Sequence, residues 1–162
     1  MTVAEYNNCV QLHADGVYRY IVKSLKLQAD AQDIVQSSFE KLWIHRENVT
    51  PSTSKAYLYT VAYNQMIDHI RKHRKITLVH ELEHMSNTSV APQHMHLKEA
   101  LQHALDQLSE VQRSLVLLKD YEGYSYQEIG TIMNLTESQV KVYLHRARLQ
   151  LRSYIVKADN VL

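Results

Sequence analysis

At 162 residues the chain can form one ordinary domain or two small ones, and its three glycines and two prolines are too few for a sheet built from tight hairpins. A single cysteine, Cys9, excludes an internal disulfide and a multi-thiolate zinc site, and no apolar run approaches the roughly 20 residues that span a bilayer. The net charge of +1 conceals two segregated basic segments, residues 69–75 and 141–157, which favour two separate surfaces that grip a polyanion.

The first half of the chain has the apolar spacing of helices. The opening MTVAEYNN lacks the blocks of a signal peptide, so we expect a cytoplasmic chain without membrane insertion. Apolar residues recur at helical spacing over residues 6–25, which predicts a first helix. The pattern resumes over residues 30–43 and predicts a second helix, which Asp30 or Asp33 is placed to cap.

A third helix is predicted after a polar loop. The segment RENVTPSTS, residues 46–54, contains a proline and four hydroxyl-bearing residues, so the chain must leave helix and restart near Lys55. The restarted helix has an apolar side and runs into the basic segment HIRKHRK, residues 69–75. We therefore predict an N-terminal helical bundle over residues 1–75.

A flexible linker is predicted over residues 76–95, where no period lasts and SNTSVAP has little to bury. It contains the HELEH motif, in which His80, Glu81 and His84 have the H-E-x-x-H spacing of zinc proteases. A protease needs this motif on a stable helix beside a third ligand, and the usual downstream extension with another histidine is missing here. A zinc metalloprotease is therefore an alternative that the sequence disfavours.

Two other histidine pairs are interpreted as surface residues rather than metal ligands. They are His69 with His73, and His94 with His96. We predict no metal site, no cofactor and no catalytic residue.

The second half, residues 96–162, is predicted to be a helical domain, and its sequence contains clear signals for where helices start and end. An amphipathic helix begins near Leu97. Capping boxes, in which a hydroxyl and a Glu or Gln three residues later bind each other's backbone, pair Ser109 with Gln112, Ser125 with Glu128, and Thr136 with Gln139. They predict helices over residues 110–121, 126–133 and 137–155, with Gly123 where the first of these should end.

The tight corner between the last two helices, residues 134–136, predicts a helix-turn-helix, whose second helix presents its N-terminal residues to the DNA major groove. On this second helix an apolar stripe is predicted to be buried, which leaves its cations and amides for phosphates and base edges. The stripe comprises Val140, Leu144, Ala147 and Leu151.

Three segments carry a family resemblance. The stretch SYQEIGTIMNLTESQVKVYLHRARLQLR, residues 125–152, resembles the promoter-reading helix-turn-helix of bacterial sigma factors. DAQDIVQSSFEKLW, residues 30–43, resembles their polymerase-binding helix, and AYLYTVAYNQMIDHIRKHRK, residues 56–75, is similar to the helix that reads the minus-10 element. The size and the two-domain layout resemble the extracytoplasmic-function group.

The resemblance implies a protein that binds core RNA polymerase, recognises promoter DNA and has no active site of its own. It also implies an anti-sigma protein as a partner. The polymerase contacts that it implies are Asp33, Gln36, Phe39, Leu42 and Trp43. The implied contacts to the minus-10 DNA are Ser52, Thr53, Ser54, Tyr59, Tyr63, Asn64, Asp68, Arg71 and Arg74. The implied minus-35 contacts are Thr136, Glu137, Ser138, Gln139, Lys141, Tyr143, His145, Arg146 and Arg148.

One rival remains open from the residues alone. A similar helix-turn-helix closes many transcriptional regulators that bind operator DNA without polymerase. Such a regulator should begin with a receiver domain or a ligand pocket. The first half of this chain has neither a parallel-sheet pattern nor a glycine-rich loop, and it has a basic helix end of its own.

Overall fold

The computed structural model describes residues 1–81 and 97–159, with side chains for residues 1–74 and 97–157. Within these residues the fold is all-helical, as predicted. A 3₁₀ turn, Arg46–Asn48, follows the second helix, and a π-helical turn, Leu117–Tyr121, follows the fifth. The α-helices are α1 Val3–Leu25, α2 Gln28–Ile44, α3 Pro51–Glu81, α4 Leu97–Gln107, α5 Glu110–Val116, α6 Tyr126–Met133 and α7 Glu137–Asp159.

The first two helices are joined by a tight corner. A capping box starts α1, with the Thr2 hydroxyl accepting from the Glu5 amide, and Lys26 ends the helix in the left-handed region with φ 64°. The prediction that Asp30 or Asp33 caps α2 is wrong, because the helix begins earlier and its N-cap, Leu27, makes no side-chain cap. Asp30 instead lies in the first turn, where a carboxylate complements the helix dipole.

The third helix is longer at both ends than predicted. It begins at Pro51, four residues before Lys55, since proline fits the first helical position, where no intrahelical bond is lost. The amide of Thr50 donates to the Thr53 hydroxyl at 3.1 Å, which satisfies a donor at this start. The helix ends at Glu81, so residues 76–81 of the predicted linker are helical, whereas residues 82–95 of that linker lie outside the described part of the chain.

The N-terminal three helices pack pairwise around a common core. Each helix buries one apolar face in this core and leaves its polar face exposed to solvent. The fully buried members include Val17, Ile21, Ala31, Leu42, Leu58, Ala62 and Met66.

The C-terminal helices start and end close to the predicted residues. All three predicted capping boxes are present, at Ser109, Ser125 and Thr136. Gly123 ends the helical run with φ 74°, a conformation that glycine adopts without strain. The run itself changes to a π-helical turn, in which the Glu122 amide donates to the Leu117 carbonyl at 3.0 Å.

The helix-turn-helix corner depends on a close backbone approach. A Cβ at Gly130 of α6 would lie 2.6 Å from the Leu135 carbonyl oxygen, so only glycine lets the turn pass this close. Asn134 ends α6 in the left-handed region with φ 55°, and the Leu135 amide donates back to the Gly130 carbonyl at 2.9 Å.

The N-terminal half, residues 1–81, packs directly on the C-terminal half, residues 97–159. Helix α3 lies against α6, and α1 lies against α5. The buried Tyr20 hydroxyl donates to the Ser114 hydroxyl at 2.8 Å, and the rings of Tyr59 and Tyr124 meet edge to face with centroids 4.9 Å apart. One continuous apolar cluster therefore joins the two halves.

Candidate nucleic-acid and polymerase interfaces

The start of α7 has the orientation that the sequence predicts. Val140, Leu144 and Ala147 are buried against the C-terminal helices, and Leu151 is half-buried. The opposite side of α7 is exposed and follows directly from the capped N-terminus. We call the exposed predicted minus-35 residues the α7 surface: Thr136, Glu137, Ser138, Gln139, Lys141, His145, Arg146 and Arg148.

Several of the predicted minus-35 residues are partly engaged within the chain. The Arg148 guanidinium binds the Asp120 carboxylate, with Nε to Oδ2 at 3.1 Å, and this bond raises the pKa of Arg148 above its ordinary value. Lys141 lies 3.5 Å from Glu137, one turn away on the same helix. Tyr143 is half-buried beside Val111 and Gln112.

The predicted minus-10 residues divide into exposed and buried sets. Two members are buried in the packed chain and are not accessible to DNA in this arrangement: Ser54 is 3% exposed and donates to the Pro51 carbonyl at 2.8 Å, and Tyr59 is 1% exposed. Tyr63 is half-buried. The exposed members form what we call the α3 surface: Ser52, Thr53, Asn64, Asp68, Arg71 and Arg74.

The burial of Tyr59 is a product of the packing between the halves. Its ring lies between Tyr20 of α1 and Tyr124, which follows the π-helical turn. Burial raises the pKa of Tyr59, and burial raises the pKa of Tyr124 to about 12. Both phenols therefore remain neutral hydrogen-bonding groups at physiological pH, and no base can stack on Tyr59 while the two halves are packed together.

The predicted polymerase residues on α2 also divide. Phe39 and Leu42 are 8% and 0% exposed, so they hold α2 in the core, and a direct contact with polymerase does not fit their burial. Asp33 and Gln36 are exposed, and Trp43 is 37% exposed. These three residues form what we call the α2 surface.

An apolar depression of about 580 Å³ lies beside Trp43, and the sequence analysis missed it. Val3 and Ile44 line it with 57% and 68% of their surfaces exposed, and the Tyr6 ring meets Trp43 edge to face at 4.9 Å. The Arg46 guanidinium covers the other side of the indole at 4.1 Å. Ile44, directly after Trp43, was the available sequence signal.

Ion pairs hold the charged residues of one half against the other. Arg19 binds Glu122 at 3.1 Å, Lys26 binds Asp106 at 2.7 Å, Lys55 binds Glu128 at 3.3 Å, and Arg74 of the α3 surface binds Glu110. Arg113 donates to the Ser24 carbonyl of α1 at 2.8 Å. Part of the basic helix end is therefore occupied within the chain. Sequence spacing contains no signal for contacts between residues this far apart.

One group of side chains in the described residues has the composition of a metal site. Asp30 Oδ2 lies 3.2 Å from His69 Nε2, and the rings of His69 and His73 stack with centroids 4.1 Å apart. One ligand atom from each residue lies within 4.8 Å of the other two. Residues 82–84 of the H-E-x-x-H motif lie outside the described residues.

Family comparisons match both halves of the chain. The Sigma-70 region 2 family model matches residues 9–76, and the Sigma-70 region 4 model matches residues 98–151. The ECF RNA polymerase sigma factor SigE of Mycolicibacterium smegmatis is 31% identical over 96% of this chain. SigM of Bacillus subtilis is 31% identical over 93% of it. The chain spans 63% of the length of SigE and 94% of that of SigM.

Solved structures share the fold. The sigma factor RpoE, in complex with the anti-sigma factor NepR from Bartonella quintana, matches with a TM-score of 0.77 at 23% identity, covering 97% of this chain and 99% of that one. CnrH, in complex with the cytosolic domain of CnrY, matches with a TM-score of 0.69 at 20% identity, covering 95% and 88%.

An exposed helix-turn-helix joined to a second helical unit with a basic end defines a DNA-binding transcription protein. The chain belongs to the RNA polymerase sigma factors, in the extracytoplasmic-function (ECF) group, and it directs promoter recognition in transcription initiation. Sigma factors act on transcription by directing the polymerase and are not enzymes in the catalytic sense. No helix among the described residues is both long and apolar enough to cross a bilayer.

Proposed function

We propose that this sigma factor reads the minus-35 element with the α7 surface. The observation that carries the proposal is the exposed, capped start of α7, whose apolar stripe faces inward and whose cations and amides face outward. Helix N-termini favour phosphate, and the first residues of a recognition helix reach base edges in the major groove. Arg146 is the exposed cation of this surface that forms no ion pair among the described residues.

The α2 surface is the proposed dock for core RNA polymerase. Asp33 and Gln36 are available for hydrogen bonds that orient the partner. Apolar contact area comes from Trp43 and from the depression that it forms with Val3 and Ile44. A half-exposed tryptophan beside an apolar depression is the kind of anchor that dominates protein interfaces. Phe39 and Leu42 serve this dock by positioning α2.

The α3 surface is the proposed minus-10 contact. Arg71 and Arg74 provide cations for the DNA backbone, and Asn64 provides an amide for bases. Tyr63 stands where arginine is frequent in similar sigma factors, and Val142 and Tyr143 stand where a Ser-Arg pair is usual. The promoter sequence of this chain therefore need not follow that of its relatives.

The two halves must separate before both surfaces reach one promoter. The minus-10 and minus-35 elements lie about 25 base pairs apart, roughly 85 Å along B-DNA. The α3 and C-terminal helices are in direct contact, and Arg74 is held by Glu110. The 15 residues between α3 and α4 can reach about 50 Å when extended, which with the width of the two halves suffices for this span. We propose that docking on core polymerase separates the two halves, and that promoter reading follows.

We propose an anti-sigma protein as a further partner, since the similar sigma factor RpoE forms a complex with the anti-sigma factor NepR. The apolar depression at Trp43 and the charged inter-half contacts are the surfaces that such a partner would use. The chain itself is proposed to have no catalytic activity and to act in the cytoplasm, where core polymerase is found.

The deciding experiment is transcription in vitro from fragmented genomic DNA with core polymerase plus this chain, followed by mapping of the transcript starts. We expect a small set of defined starts that share two upstream elements. Core polymerase alone is the control. An absence of specific starts, with the chain bound to operator-like sites without polymerase, would instead favour the operator-binding regulator, which the comparisons do not favour.

A matched pair of variants separates docking from folding. Asp33→Ala should leave thermal stability unchanged and weaken binding to core polymerase several-fold, because an exposed carboxylate is removed from the α2 surface. Leu42→Ala should lower the free energy of unfolding by about 2–5 kcal/mol, as expected for a fully buried leucine. Urea denaturation and a fluorescence anisotropy titration with core polymerase give the two readouts. Unchanged polymerase affinity in Asp33→Ala would remove Asp33 from the dock.

A further inference from the structure

The tertiary fold brings together three metal-ligating side chains that are not among the proposed polymerase or DNA contacts. Asp30 lies in the first turn of α2, and His69 and His73 lie one turn apart on α3. Asp30 and His69 are half-buried, and His73 is exposed. Although the sequence separates Asp30 from the histidines by 39 residues or more, the packing of α2 on α3 places all three at one point.

The donor set is chemically specific. One carboxylate oxygen and two imidazole nitrogens suit zinc and other first-row divalent ions, whereas magnesium and calcium prefer oxygen donors alone. Histidines four residues apart on a helix face the same side, which is the spacing that lets two imidazoles share one ion. The His69 and His73 rings stack with centroids 4.1 Å apart and planes inclined by 29°, so both side chains extend from the same side of α3.

The distances are close to those of a bound state. With metal–ligand bonds of about 2.0–2.1 Å, ligand atoms in a tetrahedral site lie roughly 3.4 Å apart. Asp30 and His69 already meet at 3.2 Å, and all three ligand atoms lie within 4.8 Å of one another. A rotation of the exposed His73 ring, which no core packing prevents, is enough to close the remaining gap.

The surroundings of the cluster allow an ion to enter. A depression of about 240 Å³ opens beside Asp30 and His69 and is also lined by Asp33, whose carboxylate adds negative charge. Arg74 and Arg113 line a second depression together with His69 and His73, and both are engaged: Arg74 binds Glu110, and Arg113 donates to the carbonyls of Ser24, Leu105 and Leu108. Their charges lower the affinity for an ion without blocking the path to the cluster.

We propose that Asp30, His69 and His73 bind a first-row divalent metal ion, with Zn²⁺ as the probe, and that solvent fills the remaining coordination position. The bound ion links the start of α2 to α3. Because α2 and α3 carry the proposed polymerase and minus-10 surfaces, the link stiffens the unit that presents both. The site itself does not depend on the proposed function, since its ligands lie outside both surfaces.

The test is a Zn²⁺ titration of the full chain, tag-free and stripped of metal, by isothermal calorimetry and by thermal unfolding. We expect one zinc ion per chain at this site and, at a zinc concentration about a hundred times the dissociation constant, a rise in melting temperature of roughly 5 °C or more. Mg²⁺ at the same concentration should give no rise, because imidazole ligands suit it poorly.

Variants assign the ligands. His69→Gln/His73→Gln should weaken the site by more than about a hundredfold and so reduce the temperature rise to about 1 °C or less. Asp30→Asn, a smaller change that keeps the side-chain shape, should weaken it in the same direction. The matched control is His80→Gln/His84→Gln, which removes a second histidine pair of the same spacing and should retain the site. His103→Gln removes an exposed histidine of α4 and should also retain it.

The outcomes are distinguishable. Loss of binding in both variants of the cluster with retention in both controls supports the proposal, and circular dichroism of each variant checks that the helices remain. Retention of the tight site in His69→Gln/His73→Gln overturns it. Loss in His80→Gln/His84→Gln with retention in the cluster variants also overturns it and assigns the ion to the H-E-x-x-H motif.

Discussion

Arg146 and Arg148 lie two residues apart on α7 and differ in what they contact. Arg146 is exposed and makes no ion pair among the described residues, whereas Arg148 is held by Asp120. At the scale of single residues, this difference separates a cation that is available for phosphate from one that is already engaged. It also explains why charge in the sequence alone does not rank the contacts of a DNA-binding helix.

Arg146→Ala should weaken promoter binding and reduce the slope of log affinity against log salt by about one, because one counterion fewer is released. Arg148→Ala should change the slope less, since its charge is partly balanced by Asp120. Fluorescence anisotropy of holoenzyme on a promoter duplex, over a salt series, measures both slopes. Equal slopes for the two variants would contradict the assignment.

At the scale of elements, the helix-turn-helix corner depends on one missing side chain. Gly130→Ala adds a Cβ that would lie 2.6 Å from the Leu135 carbonyl oxygen. Alanine favours helix by about 1 kcal/mol over glycine, but the clash with backbone should outweigh it and lower the free energy of unfolding by roughly 1–3 kcal/mol. Thr131→Ala, at an exposed position of the same helix, should be neutral or slightly stabilising. Urea denaturation measures both, and a stabilised Gly130→Ala would show that the corner can relax.

The start of α6 should respond to acid. The pKa of Glu128 is lowered from its ordinary value of 4.5, first by the hydrogen bond from the Ser125 amide and then by Lys55. A lowered folded-state pKa means that the contribution of Glu128 to stability is fully present above pH 4.5 and is lost as the pH falls through the lower value. Glu128→Gln keeps the capping-box geometry and loses the charge.

The stability difference between the protein and Glu128→Gln should therefore be largest near neutral pH and shrink below about pH 4.5. Its size is small, because the Glu128 side chain is 44% exposed to solvent. Thermal unfolding of both proteins across this pH range tests the expectation. A difference that grows with acid would contradict the charge-based cause.

At the scale of the whole molecule, the contact between the halves combines a buried apolar cluster with ion pairs whose basic side chains are partly exposed. The ion pairs weaken with salt, whereas the Tyr20–Ser114 and Tyr59–Tyr124 contacts do not. The strength of the contact should therefore depend on charge, which suits the proposed separation of the two halves on the promoter.

Arg19→Glu should place two like charges at the contact with Glu122 and shift the free chain toward separated halves, seen as a larger radius of gyration in small-angle X-ray scattering. The swap Arg19→Glu/Glu122→Arg should restore the compact form, because opposite charges face each other again. Raising the salt concentration should increase the radius of gyration of the unmodified chain, but by less than the Arg19→Glu substitution increases it. An unchanged radius in the single variant would show that the apolar cluster alone holds the halves.

The helices themselves follow from local sequence. Ser125 with Glu128 and Thr136 with Gln139 satisfy backbone groups within one turn, so α6 and the start of α7 are confirmed at their predicted residues. The start of α3 was missed because a proline in a polar stretch indicates a loop as readily as a first helical turn. Such choices depend on hydrogen bonds that span three or four residues.

The tertiary structure alone decided which faces are free. Tyr59, Phe39 and Leu42 belong to patterns that fit a surface or a core equally, and only the packing of distant helices buried them. The same packing brought Asp30 to His69 and Glu110 to Arg74. The sequence by itself thus determined the helices, through local hydrogen bonds and apolar periodicity, and it contained the family motifs. Which side chains are buried and which charged residues pair was decided by the tertiary structure. Both depend on contacts between residues far apart in the chain, which no local pattern encodes.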